Sequence, residues 1–172
     1  MLCLILISCK NEKKMQIKEI EVLNYERYGI DTILPKFYNC INSSGKTFAV
    51  SNHQKNKFKY ITYEFNDFPI DQTFEKVEGV WKENLPSIVG GAYCIKINYR
   101  DKKSKIIYIE NDKIYSNSSL FKFLEKINNK NKISEKIFGD TLKVNSKMKQ
   151  LINFVVEDDS RISRSPPPPI IN

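Results

Sequence analysis

The amino-acid sequence predicts a single α+β domain: an antiparallel sheet of about five or six strands with two or three helices packed on one face. Three observations predict this class. Short segments rich in β-branched and aromatic residues alternate with polar turns in the first half of the chain, as in antiparallel strands. Later segments repeat apolar residues every three or four positions, as in amphipathic helices. The 172 residues, 41% of them hydrophobic, suffice for one core and give no sign of a second domain.

The first half of the chain contains most of the predicted strands. Strand composition marks Ile17–Leu23, Lys46–Ser51 and Phe58–Phe65, the last of which is dense in aromatic and β-branched residues. The polar stretch Asn42–Gly45 is a turn that leads into the second of these strands. The segment Ile33–Ile41 is apolar but contains a proline, which leaves its type open between strand and loop.

A change of period after Pro69 predicts a helix in the middle of the chain. Five apolar residues are spaced by four, three, four and four positions, with Asp71 as the N-cap: Ile70, Phe74, Val77, Trp81 and Leu85. Two adjacent glycines then mark the return to strands. Ala92–Tyr99 alternates in polarity, and with Lys105–Glu110 it forms the clearest predicted hairpin.

Two further helices are predicted near the C-terminus. The first is capped by Ser118 or Ser119 and has its apolar positions at Leu120, Phe121, Phe123, Leu124 and Ile127. The second starts near Ser146 and directs Met148, Leu151, Ile152 and Val155 inward. The domain is predicted to cover residues 17–156. Residues 157–172 are polar, contain four consecutive prolines and are predicted to be a disordered tail.

The N-terminus carries a short apolar run that ends abruptly at a cysteine. Leu2–Ser8 is apolar or small, and a lysine-rich polar stretch follows Cys9. The run is far shorter than the about 20 apolar residues that cross a membrane. It reaches the lower limit of a signal-peptide core, about 7–15 residues, and has no basic residue before it. A buried first strand at Leu2–Ile7 is the alternative interpretation.

The order Leu6-Ile7-Ser8-Cys9 resembles the lipobox of bacterial lipoproteins, in which an apolar, an uncharged and a small residue precede an obligatory cysteine. The resemblance implies that residues 1–8 are a signal peptide cut off before Cys9 and that the Cys9 sulfur is diacylated. Residues 9–16 would then be a polar tether. The protein would be held in the bacterial cell envelope by its lipid anchor, at the periplasmic face or the cell surface, with the membrane as its first partner.

The formal net charge is +8, and residues 100–149 carry 13 basic against six acidic side chains. A basic segment of this kind favours a polyanionic partner, either a nucleic acid or an anionic membrane. Only four of the 28 basic residues are arginines, which provide most specific contacts to phosphates and guanines. The composition therefore argues against nucleic-acid binding.

The two cysteines outside the N-terminal segment, Cys40 and Cys94, have two interpretations. In an exported domain they could form one disulfide that closes a loop of roughly 50 residues and contributes about 3–4 kcal/mol. Alternatively, they are two separately buried thiols, because free cysteine is among the most buried residue types. Neither has a histidine or another cysteine at metal-ligand spacing, so no zinc site is predicted.

Three other segments invite a chemical interpretation, and each has a simpler one. Cys40–Thr47 is similar to a phosphate-binding loop but lacks its first glycine and is followed by a strand, so a hairpin turn is preferred. His53, the only histidine, lies in a polar loop without a motif that would make it a catalytic base. The acidic cluster Glu157–Asp159 lacks the alternating ligands and glycine turn of a calcium loop.

The sequence thus predicts no catalytic residues, no cofactor and no metal ligands. It favours an envelope lipoprotein with a non-enzymatic binding or structural role. Two alternatives are an immunity-type inhibitor of a toxin delivered to the envelope, whose partner would be that toxin, and an enzyme that acts on cell-wall material. The sequence does not indicate an oligomeric state.

Overall fold

The computed structural model describes residues 17–29, 32–52, 58–64, 89–111, 118–133 and 141–163. They form six strands and two helices, which confirms the predicted α+β class with an antiparallel sheet. In chain order these elements are β1 (Ile17–Tyr28), β2 (Ile33–Asn42), β3 (Lys46–Asn52), β4 (Phe58–Glu64), β5 (Val89–Tyr99), β6 (Ser104–Glu110), α1 (Ser118–Ile133) and α2 (Thr141–Ser163).

Strand β1, the first of the described strands, lies in the middle of the sheet. The strand order is β4-β3-β2-β1-β5-β6, and every pair of neighbours is antiparallel. Four of the five pairs join strands that follow one another in the chain. The fifth, β1 with β5, joins the two halves of the sheet, and Ile20 of β1 stands opposite Ile41 of β2 on one side and Ile97 of β5 on the other.

Strand β1 is buried on both faces of the sheet. Successive side chains of a strand point to opposite faces. Ile20 and Val22 therefore lie on one face, and Leu23 and Tyr25 on the other; all four are fully buried. Because β1 is apolar on both sides, each face of the sheet needs its own cover.

Each helix covers one face. The α1 residues Leu120, Phe123, Leu124 and Ile127 belong to the core cluster that contains Ile20 and Val22. The α2 residues Val144, Met148, Leu151 and Val155 belong to a second cluster, with Leu23 and Tyr25. The sequence prediction placed the helices on one face, whereas these clusters put α1 and α2 on opposite sides. The difference follows from β1, whose two apolar faces cannot both be buried by one layer of helices.

The bounds of several elements differ from the prediction. Ile33–Asn42, the segment of open type, is strand β2 despite Pro35. Helix α2 begins at Thr141 rather than near Ser146, because Val144 extends the buried row of Met148, Leu151 and Val155 by one turn. The helix also continues to Ser163, so residues 157–163 are helical and not part of a disordered tail.

Other predicted segments lie outside the described residues: the lipobox-like N-terminus, the helix after Pro69 and the proline-rich end. Neither α1 nor α2 is long and apolar enough to cross a membrane.

Candidate functional site

A recess with a mixed polar and apolar lining lies on the α2 side of the sheet, beside the start of β1. It has a volume of about 290 Å³, and we call it the Glu19 recess. Its lining residues are Glu19, Cys40, Asn42, Phe48, Lys143, Val144 and Lys147. The pairing register brings the strand residues together, because Glu19 stands opposite Asn42, and Cys40 stands opposite Phe48. The α2 residues follow one another at spacings that place them on one helix face.

Glu19 and Lys147 form a half-buried ion pair in this recess. The Lys147 Nζ lies 2.6 Å from each oxygen of the Glu19 carboxylate and 3.5 Å from the Cys40 Sγ. Burial alone would raise the pKa of Glu19, but hydrogen bonds and the charge of Lys147 outweigh it and lower the pKa. Burial likewise opposes the charge of Lys147, and the interaction with Glu19 outweighs it, so the pKa of Lys147 is raised. Both groups are therefore charged at neutral pH.

A second carboxylate, Glu21, lies deeper in the protein and is 4% exposed. The Tyr38 hydroxyl donates a hydrogen bond of 2.7 Å to its Oε2, and the Asn98 Nδ2 donates one of 2.8 Å to its Oε1. The Lys96 Nζ is 3.8 Å from Oε1. Burial first, and then the negative charge of Glu21, raise the pKa of Tyr38 far above its usual range, so this phenol stays a donor. The buried carboxylate thus has donors on both of its oxygens.

Cys40 is held as a neutral thiol. Burial raises its pKa, the neighbouring charge of Glu19 raises it further, and together they bring the pKa to about 12. At pH 7 only about one such thiol in 10⁵ is ionised. A nucleophilic cysteine instead has a lowered pKa, because the ionised thiolate is the reactive form. Cys40 is therefore a neutral thiol in the wall of the recess.

Cys40 and Cys94 are both free and buried in this structure. They stand on β2 and β5, which lie on either side of β1: Cys40 faces Glu21 of β1, and Cys94 faces Leu23. Neighbouring strands are about 4.8 Å apart, so these Cα atoms are separated by about 10 Å or more. A disulfide requires less than about 7 Å. The structure therefore agrees with the second interpretation of the sequence, in which Cys40 and Cys94 are two separately buried thiols. In this fold they are too far apart to form a disulfide.

Both thiols should therefore react only after unfolding. We expect a Cys3→Ser/Cys9→Ala variant at pH 8 to react with an aromatic disulfide reagent at least about 100 times more slowly when folded than in denaturant, because both thiols are buried. Unfolding without a reductant should expose two reactive thiols per chain. A count of zero would mean that the two cysteines are paired, and fast labelling of the folded protein would contradict their burial.

The ion pair should make stability depend on pH at both extremes. Glu19, with its lowered pKa, adds stability above its ordinary value of 4.5 and loses it as the pH falls through the folded value. Lys147, with its raised pKa, adds stability below 10.5 and loses it as the pH rises through the folded value. Lys147→Met should cost about 1.5–3 kcal/mol at neutral pH. Urea unfolding should show this difference shrinking in acid and in strong base.

The exposed Lys149, which does not line the recess, provides the control for that measurement. Lys149→Met should change the free energy of unfolding by less than about 0.5 kcal/mol at every pH. A difference between Lys147→Met and the original protein that stays constant from acid to base would show that the ion pair does not contribute.

The other candidates from the sequence do not join this site. Cys9 and His53 lie outside the described residues. The loop-like segment Cys40–Thr47 is the β2–β3 hairpin, as predicted: the Asn42 Oδ1 accepts hydrogen bonds of 3.0 Å from two backbone N–H groups, and Gly45 adopts a φ of +84°. Glu157 is exposed on α2. Of the predicted site residues that the structure describes, Cys40 lines the recess and Cys94 does not.

Sequence reasoning missed the charged residues of the site. Glu19 and Glu21 had a usable signal, because they occupy alternate positions of a strand and so share a face with the apolar Leu23 and Tyr25. Two carboxylates on a buried face require partners. Nothing in the sequence indicated that Lys147 would be a partner, because that contact depends on how α2 is placed on the sheet.

The described residues contain no group of three or more His, Cys, Asp or Glu side chains placed to hold a metal ion. Comparison with known proteins gives no match: no family model, no curated protein and no solved structure matches this chain. The chemistry of the Glu19 recess is therefore the basis for a functional proposal.

Proposed function

We propose that this protein is a lipid-anchored lipoprotein of the bacterial envelope that binds a small anionic molecule in the Glu19 recess, without catalysing a reaction. The observation that supports binding best is the fixed protonation of the recess. Glu19 and Lys147 are held charged, and Cys40 is held neutral. A general acid or base needs a pKa close to the working pH, and a thiol nucleophile needs a lowered one. None of these three groups has either property.

The lining favours an anion over a cation. Lys143 and Lys147 contribute two positive charges from successive turns of α2, and Glu19 contributes one negative charge. Phe48 and Val144 add an apolar wall. The volume of about 290 Å³ lies just below the usual range for ligand pockets, about 300–1,000 Å³, and fits a small ligand. A small molecule with one anionic group and an apolar part would match these features.

The proposed anchor is Cys9. Its support is the order Leu6-Ile7-Ser8-Cys9 and the lysine-rich polar residues that follow it. Residues 10–16 could extend by at most about 25 Å, which would keep the sheet close to the lipid.

An immunity-type inhibitor would instead need a protein partner, and stable protein interfaces bury about 800 Å² on each side. The recess is suited to a small ligand, so we favour small-molecule binding.

The anchor is tested by intact mass and detergent partitioning of the protein expressed in a bacterium, beside a Cys9→Ala variant. We expect loss of residues 1–8, added acyl mass and partition into the detergent phase, all absent from the variant. A chain that keeps Met1, carries no acyl mass and stays in the aqueous phase would refute lipid anchoring.

Ligand binding is tested with benzoate and its neutral counterpart benzamide by calorimetry on the Cys9→Ala protein. Benzoate should bind more tightly, and Lys143→Met should weaken it by about tenfold or more through loss of a charged contact. Lys149→Met, which removes the same charge from the same helix outside the recess, should leave the Kd unchanged. Absence of benzoate binding, equal binding of benzamide, or an equal effect of the two substitutions would contradict the anion site.

A further inference from the structure

The end of the sheet at which β1 begins is strongly basic. Three separate segments meet there. Lys18 is the second residue of β1, Lys46 is the first of β3, and the turn between β5 and β6 supplies Arg100, Lys102 and Lys103. All five side chains are exposed, and together we call them the basic end. Their proximity follows from the pairing of Ile17 with Tyr99 and from a hydrogen bond of 3.1 Å from the Ser43 N–H to the Lys18 carbonyl.

Acidic residues only partly offset these charges. Of the exposed acidic side chains described at this end, Asp101 lies 3.7 Å from Lys103, and Glu64 stands opposite Lys46. The exposed and partly exposed charges described at the other end of the sheet are balanced by contrast, and Arg27 there is buried. There Glu26 forms an ion pair with Lys36, while one partly exposed charge of each sign, Lys59 and Glu110, stands on the edge strands. The charge is therefore polarised along the strands.

Lys102 occupies a position that disfavours a lysine. Its φ of +69° makes it the only described non-glycine residue in the left-handed region. Such a position favours glycine or asparagine, and other residues pay a conformational cost there of roughly 1–2 kcal/mol. A lysine at this site adds charge to the basic end at the expense of the local backbone preference, which points to a use for the charge.

We propose that the basic end docks on the anionic headgroups of the bilayer that holds the lipid anchor. This docking rests on the proposed anchoring, because the tether enters the sheet at Ile17, beside Lys18. The tether itself contains Lys10, Lys13 and Lys14 against one Glu12. Attraction to an anionic surface acts within about 8–10 Å, and the end of the domain next to the tether is the end held closest to the bilayer. The acyl chains fix the protein to the membrane, and the basic end orients it.

The test uses the Cys9→Ala chain, so that electrostatic docking is measured without the lipid. Binding is followed by vesicle co-sedimentation at low salt, with equimolar phosphatidylglycerol and phosphatidylcholine against phosphatidylcholine alone. The variant Lys18→Gln/Lys46→Gln/Arg100→Gln removes one charge from each segment of the basic end. Each should contribute about fivefold, so affinity for the anionic vesicles should fall by about 100-fold.

The matched control, Lys122→Gln/Lys130→Gln/Lys149→Gln, removes three exposed charges from the helices and should lower the affinity by less than about fivefold. Equal losses in the two triple variants, or equal binding to both kinds of vesicle, would overturn the docking surface. The proposal would also be overturned if the protein bound duplex DNA more tightly than the vesicles and the substitutions at Lys18, Lys46 and Arg100 weakened that DNA binding. If the vesicles bind the basic end but the mass measurement shows that Cys9 is not acylated, only the proposed anchor is refuted. If Cys9 is acylated but the basic end does not bind vesicles, only the proposed docking surface is refuted.

Discussion

Replacing Glu21 with alanine should lower the free energy of unfolding by about 3–5 kcal/mol, measured by urea denaturation at pH 7. The side chain is 4% exposed and accepts hydrogen bonds from Tyr38 and Asn98, with Lys96 nearby. The substitution leaves the buried Tyr38 hydroxyl without its acceptor, and an unsatisfied buried group costs about 1–3 kcal/mol. It also removes the shorter of the two hydrogen bonds of the partly buried Asn98 amide, which keeps the bond of 3.5 Å to Glu19.

Two variants separate this effect from a general loss of charge. Glu125→Ala removes an exposed carboxylate from α1 and should change stability by less than about 0.5 kcal/mol. Glu21→Leu/Tyr38→Phe removes the carboxylate together with its hydroxyl donor and should recover at least about 1 kcal/mol relative to Glu21→Ala. If Glu21→Ala were no more destabilising than Glu125→Ala, the carboxylate would not be buried as described.

Replacing Phe123 with alanine should have an effect of the same size, about 3–5 kcal/mol. Phe123 is fully buried between α1 and the face of the sheet formed by Ile20, Val22 and their neighbours. The truncation removes most of a large side chain and leaves a cavity that the rigid sheet cannot close. Leu142→Ala on α2, at a residue 83% exposed, should change stability by less than about 0.5 kcal/mol.

The same substitution tests whether the helices cover opposite faces. Met148→Ala, on α2, should cost about 2–5 kcal/mol. Because the sheet separates the two sites, the double variant should equal the sum of the single ones within about 0.5 kcal/mol. A coupling energy above about 1 kcal/mol would show that Phe123 and Met148 share one core.

The class and most of the strands were predictable from local pattern alone. Ala92–Tyr99 and Lys105–Glu110 alternate in polarity, and they locate the hairpin of β5 and β6 with β5 begun three residues late and β6 one residue late. Strand β2 was not assigned because Pro35 is a poor strand residue, and β1 shifts its pairing register between Asn24 and Tyr25, opposite that proline. The pairing of β2 with β1 made this segment a strand, although its local composition did not decide between strand and loop.

The arrangement of the helices and the binding site depended on contacts between distant parts of the chain. Ile20, Val22, Leu23 and Tyr25 lie close together in the sequence, and their alternation shows that both faces of β1 are apolar. It does not show which helix covers which face. The meeting of Glu19 with Lys147 joins residues that are 128 positions apart, and no periodicity within either element signals it.

The central position of β1 governs when the protein can fold. Strand β1 is synthesised before the other described strands. One of its partners, β2, follows almost at once, but the other, β5, begins only at Val89. Pairing across such a separation closes a long loop and makes folding slow. Until β5 arrives, one edge of β1 and apolar side chains on both of its faces stay unpaired and open to chaperones. Under the export that we propose, this delay would keep the chain unfolded while it is threaded across a membrane, and the sheet would be completed on the far side.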